Sequence, residues 1–261
     1  MELGLRGRRV LVTGASRGTG AGIARVMAEE GATVWVHGFA RDPAEDVAAD
    51  IRVEGGEARA ITGDIRTDAG ASAVVRATGE IDILVNNYGV AQGGGWDSST
   101  REWIQLYEEN VLSGVRLVRA LTPGMRSRGW GRVIFVSTIG SARPQARMPH
   151  YYAAKATLAN VSLSLAKELA HTGVTVNCVS PGIVATDEVM ESFTELAERK
   201  GLPTDRASLD RLIFDEFMPI PAGVVGDPTD VGNLIAFLAS DRARYVNAAD
   251  IRIDGGAADC V

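Results

Sequence analysis

A doubly wound α/β fold, built on one mostly parallel sheet of about seven strands, is what this sequence predicts. Three observations carry it. Apolar runs of strand length recur along the chain, segments with helical spacing separate them, and a glycine-rich turn joins the first run to the first helix. The runs fall at Val10 to Val12, Thr33 to Val36, Ala58 to Ile61, Ile81 to Val85, Val133 to Val136, Val174 to Val179 and Ile251 to Ile253. They are continuous rather than alternating, as expected of strands covered on both faces. Such a β, α, β, α repeat implies right-handed crossovers and places ligands at the carboxyl ends of the strands.

Two helices are expected to be long, roughly Arg101 to Arg128 and Pro149 to His171, the second with Ala153, Ala154, Ala156 and Ala159 on one side. The segment Asp187 to Ala222 breaks the alternation, with Met190, Phe193, Leu196, Leu209 and Leu212 set among charges. It reads equally as a helical lid over a substrate or as a peripheral helical pair closing the core, because an amphipathic face serves both. A single domain over residues 1–261 accommodates all of these elements.

Composition narrows the function. With 261 residues, 46% hydrophobic and 23% charged, the chain is an ordinary globular one, neither disordered nor fibrous. A net charge of −6 opposes binding to nucleic acid or to an anionic membrane. Cys178 and Cys260 are too few for a disulfide framework or a zinc cluster and fit a reducing compartment. The start of the chain lacks the apolar stretch of a signal peptide, and no run approaches the ~18 residues that span a bilayer. A soluble, cytoplasmic protein is therefore expected. His37, His150 and His171 lie far apart without metal spacing, so no metal site is expected.

The chemistry begins at Thr13-Gly14-Ala15-Ser16-Arg17-Gly18-Thr19-Gly20, directly after the first strand and before a helix-like run. Glycines here allow a tight turn and let a pyrophosphate approach main-chain N–H groups, while the helix start adds partial positive charge. Farther along come Asn86-Asn87-Tyr88-Gly89, then Asn110, then Tyr151-Tyr152-Ala153-Ala154-Lys155, then Ser180-Pro181-Gly182 with Thr186, and finally Asp254-Gly255-Gly256. Each string is weak alone, and their order along one alternating pattern gives them weight.

Together, from about Arg8 to Gly256, they resemble the short-chain dehydrogenase/reductase family, and within it the 3-oxoacyl-(acyl-carrier-protein) reductase branch. The resemblance implies a Rossmann-like domain that binds NAD or NADP and transfers hydride between it and a ketone or secondary alcohol. Tyr151 and Lys155 match the family's YxxxK pair, Asn110 its active-site Asn, and Thr138 stands where the family places a Ser that holds the substrate oxygen. As cofactor contacts it implies Gly14, Ser16, Arg17, Gly18, Thr19 and Gly20 in the turn, with Asp64, Ile65, Asn86, Asn87 and Gly89 along the adenine side and wall. Tyr151, Lys155, Pro181, Gly182, Ile183 and Thr186 would lie beside the nicotinamide. Tyr88 departs from the family's Ala. Family members pair through the two long helices and the last strand, which implies a dimer or tetramer.

The residues make chemical sense on their own. Positions i and i+4 share a helix face, so the Lys155 ammonium is expected near the Tyr151 phenol and to favour its ionised form relative to the usual value of about 10. A phenol so placed protonates a carbonyl oxygen while hydride reaches the carbon, or does the reverse. Tyr152, three residues before Lys155, is expected to be packing. Ser137 precedes Thr138, but one step along a strand reverses the side chain, which leaves the substrate-facing role to Thr138, with Ser141 as an auxiliary donor. For the cofactor, the chain after the second strand reads His37-Gly38-Phe39-Ala40-Arg41, with no carboxylate before Asp42. A carboxylate there would accept the 2′-OH of NAD, whereas Arg17 and Arg41 suit the 2′-phosphate of NADP. NADP is thus favoured, without excluding NAD. The alternative is a non-catalytic nucleotide sensor on the same scaffold. Cys178 is expected to be a small buried hydrophobe.

Overall fold

The computed structural model describes residues 2–91 and 93–258. Cys260 lies outside them. Among the described residues, seven strands form one parallel sheet: β1 (Arg9–Val12), β2 (Thr33–Gly38), β3 (Glu57–Thr62), β4 (Ile83–Asn86), β5 (Gly131–Val136), β6 (Val174–Pro181) and β7 (Asp250–Ile253). Their order is β3-β2-β1-β4-β5-β6-β7, every neighbouring pair parallel. The doubly wound topology expected from the sequence is what forms, with its reversal of strand order between β1 and β4.

The continuous apolar runs have a direct cause. Val10, Val12, Ile83, Val85, Ile134, Val136 and Val179 pack on one face, beneath α1 (Gly18–Glu29), α2 (Arg41–Val53) and α9 (Pro228–Ala239). Leu11, Leu84, Val133, Phe135, Val176 and Cys178 alternate with them and pack on the other, beneath α3 (Asp68–Thr78), α5 (Ser113–Arg128) and α6 (Pro149–Glu168). Both faces are apolar because both are covered. Cys178 is fully buried, as expected. Helices α1 and α9 approach closely because Gly232 has no Cβ to meet Val26, where one would lie 2.8 Å from Cγ2.

One expected helix is corrected. Arg101 to Arg128 is not uniform: α4 (Thr100–Tyr107) passes into a π-helical turn, Glu108–Leu112, before α5 begins. A capping box at Ser99 and Glu102 starts α4. The wider turn carries Asn110 inward with no break in the chain's helical path. Helix α6 ends at Glu168, short of His171, which adopts a left-handed φ of 63°.

The segment after β6 folds as α7 (Asp187–Arg199) and α8 (Arg206–Glu216). Phe193, Ala197, Leu209, Leu212 and Ile213 form a small core of their own with Ile139, Ile220, Val225 and Ala257. The pair closes a satellite core, as the peripheral-pair reading expects.

Candidate active site

The glycine turn leaves β1 at the point where strand order reverses. Gly14 and Gly18 have φ of 62° and 55°, a region that L side chains rarely adopt. A Cβ on Gly20 would overlap the Gly14 carbonyl oxygen and lie 2.5 Å from Asn87 Nδ2. Helix α1 starts at Gly18 without a side-chain cap and without an acidic residue in its first turn. A turn built this way, with helix N–H groups uncapped and its nearest carboxylate, Glu188 of α7, paired with Arg17, fits a dinucleotide pyrophosphate. Ser16 packs under the turn, where Gly38 would bring a Cβ within 3.2 Å of its own.

Asn87 and Asn86 divide the work of β4 differently from expectation. Asn87 Nδ2 donates to the carbonyls of Thr13 and Gly14 at 3.0 and 3.1 Å, so its amide braces the turn. Asn86, expected on the cofactor wall, is buried against Gly114 of α5, because its side chain points to the opposite side of the strand from its neighbour's. Ile65 is likewise fully buried, leaving only its main chain for a ligand.

On the side expected to face the adenine, burial favours neutral His37. Its Nε2 lies 3.0 Å from the Gly63 carbonyl and its Nδ1 3.4 Å from the Gly14 N–H, a pattern met by the tautomer protonated on Nε2. Phe39 stands over it, 4.7 Å from the Tyr88 ring, with the Arg66 guanidinium 4.9 Å above. Asp64 accepts from Arg66 at 2.8 and 3.0 Å, and that guanidinium holds its carboxyl below the usual range. Tyr88 therefore fills this wall with an aromatic surface, and burial pushes its phenol up to about 12. Sequence reasoning missed Phe39, His37 and Arg66. The Asp-x-Arg spacing at 64 and 66 was the one available signal for the last. Arg41 opens α2 and is exposed, whereas Arg17 is engaged elsewhere, in an ion pair with Glu188 of α7 at 2.6 Å.

The side of the crevice expected to carry the reaction is assembled from β5, α6 and the π-turn. Lys155 is buried and its Nζ donates to the Val136 carbonyl at 2.9 Å. Asn110 Nδ2 donates to the carbonyls of Leu106 and Val90 at 2.9 and 3.1 Å, and its Oδ1 accepts the Val90 N–H at 3.0 Å. Gly89 lies between them: a Cβ there would be 2.6 Å from both Lys155 Nζ and Asn110 Oδ1. The ammonium and the amide oxygen thus converge on one glycine.

The expected acidification of Tyr151 is corrected. Burial pushes its phenol up to about 12, with the neighbouring Tyr152 phenol adding to the rise. Burial also brings Lys155 down to about 8. Desolvation outweighs charge here because the ammonium is turned to the Val136 carbonyl. Tyr151 is accordingly a protonated group at neutral pH. The rings of Tyr151 and Tyr152 lie 5.4 Å apart, and Tyr152 packs on Gly140. Ser137 Oγ donates to the Lys155 carbonyl at 2.9 Å, on the buried side of the strand end. Thr138 caps the short 3₁₀ turn Ile139–Ser141 through the Gly140 N–H at 3.2 Å, and Ser141 Oγ donates to the Thr138 carbonyl at 2.7 Å. His150 accepts the Tyr151 N–H on Nδ1 at 2.9 Å and lies 5.6 Å from Trp103.

The loop after β6 completes the crevice. The Gly182 N–H donates to the Ile253 carbonyl at 2.9 Å, and a Cβ on Gly182 would lie 2.9 Å from Asp254 Cα, so Asp254-Gly255-Gly256 buttresses the Pro181 turn. Ile183 packs on the satellite core. Thr186 caps α7, and a Cβ on Gly18 would sit 3.3 Å from Thr186 Cγ2, which brings the start of α7 against the glycine turn. Among the described residues no group of three His, Cys, Asp or Glu side chains could hold a metal ion, and no helix is long and apolar enough to cross a membrane.

Residues 8–197 match the short chain dehydrogenase family. The chain is 33% identical to the 3-oxoacyl-[acyl-carrier-protein] reductase FabG of Vibrio cholerae over 97% of this chain and 98% of that protein. It is 32% identical to the oxidoreductase YvaG of Bacillus subtilis over 98% of each. The structure superposes on L-sorbose reductase from Gluconobacter frateurii, solved with NADPH and L-sorbose, with a TM-score of 0.93, 31% identity and full coverage of both chains. With this fold and this order of motifs, the chain belongs to the short-chain dehydrogenase/reductase family and is an NAD(P)-dependent oxidoreductase.

Proposed function

We propose that this protein is an NADPH-dependent reductase of a ketone, with Tyr151 as the proton donor. The observation that carries the reading is the convergence of Lys155 Nζ and Asn110 Oδ1 on Gly89, with Lys155 one helical turn along α6 from Tyr151, whose phenol burial keeps protonated. Bound at the glycine turn, NADPH supplies the hydride. The uncapped start of α1 takes the pyrophosphate, and Asn87 keeps the turn in shape. Arg41, with Arg17 once freed from Glu188, takes the 2′-phosphate, and the Asp64 carboxylate is neutralised by Arg66.

Thr138 and Tyr151 together hold the carbonyl oxygen, and the Tyr151 proton passes to it as charge develops. Lys155 stabilises the phenolate that results, since a cation favours the ionised form. Asn110 retains one acceptor position on Oδ1 for a water that returns the proton from solvent. The relatives named for 3-oxoacyl and for sorbose reduction point to a hydroxyl-bearing or acyl ketone. A dimer or tetramer in the cytoplasm is part of the same proposal.

The test is NADPH oxidation with a panel of 3-oxoacyl thioesters, ketoses and simple ketones, run beside NADH and repeated with Tyr151→Phe. Turnover that requires Tyr151 and prefers NADPH is expected. Tight NADPH binding with no turnover on any ketone, unchanged by Tyr151→Phe, would favour the sensor instead. Light scattering checks the assembly, and a monomer at working concentration refutes that part.

A further inference from the structure

The opposite pole of the sheet, at the amino ends of its strands, carries a cavity of about 550 Å³. Arg6, Arg8 and Arg9 line it from the segment leading into β1, Asp82 from the start of β4, and Arg128 and Trp130 from the junction of α5 and β5. Four guanidinium groups gather here in a chain whose net charge is −6.

The carboxylates present neutralise only half of them. Asp82 is saturated: it accepts the Arg9 main-chain N–H at 3.0 Å and two guanidinium N–H groups at 3.0 and 2.9 Å, with Arg128 at 3.5 Å. Glu80 pairs with Arg9 at 2.8 Å and Arg128 at 3.7 Å. Among the described residues neither Arg6 nor Arg8 meets a carboxylate. Arg8 is nonetheless fixed in place, its Cζ 3.6 Å from the Trp130 ring centroid. The indole is anchored in turn by Nε1–H donating to Asp241 at 2.8 Å and by Arg132 stacked at 4.3 Å. A guanidinium held this way by stacking keeps its N–H edges available at little entropic cost on binding.

We infer that this cavity binds a small phosphorylated anion carrying at least two negative charges, at a site separate from the hydride-transfer crevice. Phosphoryl groups fit better than a single carboxylate because the guanidinium groups arrive from different segments, and a tetrahedral polyanion offers oxygens in several directions at once. The volume exceeds that of one ion and lies in the range of small-metabolite sites.

Pyrophosphate is the probe, titrated calorimetrically at low ionic strength into the full chain saturated with NADPH, so that the glycine turn is filled. One equivalent per chain is expected. Affinity should fall about tenfold for each guanidinium lost, in Arg6→Gln and further in Arg6→Gln with Arg8→Gln, and stay unchanged in Arg17→Gln at the other pole. Absence of binding overturns the proposal, as does loss in Arg17→Gln alone. Arg8→Gln disturbs the Trp130 stack, so the exposed Arg6 carries the test if the double variant fails to fold. Unchanged affinity in Arg6→Gln also overturns it.

Discussion

Lys155 and Glu188 flank the same crevice from below and above. Lys155 is buried with its ammonium on the Val136 carbonyl, whereas Glu188 keeps 54% of its side chain exposed and is held by one ion pair to an Arg17 that is 80% exposed. On the floor, charge is stripped of water, the titration of Lys155 and Tyr151 is displaced, and small changes in shape have no room to be absorbed. At α7, water screens the ion pair and the attachment is weak. Chemistry belongs on the first kind of surface and adjustment on the second.

The widest gap between the two should appear at Tyr151. Tyr151→Phe removes the proposed general acid from the floor and leaves the glycine turn untouched, so turnover is expected to fall by about 10² to 10⁴ with NADPH affinity unchanged. Steady-state kinetics beside fluorescence titration of NADPH measures both. Equal loss in binding and turnover would place Tyr151 among the cofactor contacts rather than at the reacting atoms.

Lys155 sharpens the contrast through stability. Its value falls from 10.5 to about 8 on folding, so between these limits the unfolded chain binds more protons and stability rises with pH. Below pH 8 the buried ammonium costs about 3 kcal/mol, from which its bond to Val136 is recovered only in part. Lys155→Met should therefore be inactive yet at least as stable as the parent at pH 7. That advantage should shrink as pH is raised from 8 toward 10.5. Urea unfolding at pH 7, 9 and 10 reads it, and a parent whose stability tracks that of the variant at every pH would show that Lys155 is hydrated.

Gly89→Ala tests the same floor by shape. Its Cβ would lie 2.6 Å from Lys155 Nζ and from Asn110 Oδ1, and overpacking of this kind costs about 1–3 kcal/mol. A lowered melting temperature and reduced turnover are expected. Gly93→Ala, at a position with nothing within 4 Å, is the matched control and should change neither.

How much of this was legible in the sequence follows the same division. All seven strands were visible because burial on both faces leaves continuous Val and Ile runs, and the glycine turn and the Tyr151–Lys155 spacing were visible because backbone geometry and helix pitch demand them. Asn110 was found, but not the π-turn that carries it, since Glu108-Glu109-Asn110 has the spacing of any helix and the extra residue is set by packing. The sign of the Tyr151 shift was also hidden: i, i+4 spacing brings two groups together but does not say how dry they are or which way the ammonium turns. Phe39, Tyr88 and Arg66 come from three strand ends, so the wall they form has no local signature. The Arg17–Glu188 pair joins residues far apart in sequence through the placement of α7.

That last pair yields the smallest effect and the most specific one. Arg17 is bound to Glu188 of α7, so under the proposed NADPH site that carboxylate would compete with the cofactor's 2′-phosphate for one guanidinium. Removing it costs little stability, since exposed pairs contribute about 0.2–1 kcal/mol. Glu188→Gln should leave the melting temperature within error and tighten NADPH by a factor of about two to five, the same free energy returned to binding. NADH, which lacks the phosphate, should bind as before. Tightening of both cofactors alike would mean that Glu188 acts on the pyrophosphate through general repulsion and not through Arg17. Arg17→Gln in the same background separates these, because the gain from Glu188→Gln must vanish when the guanidinium it frees is absent.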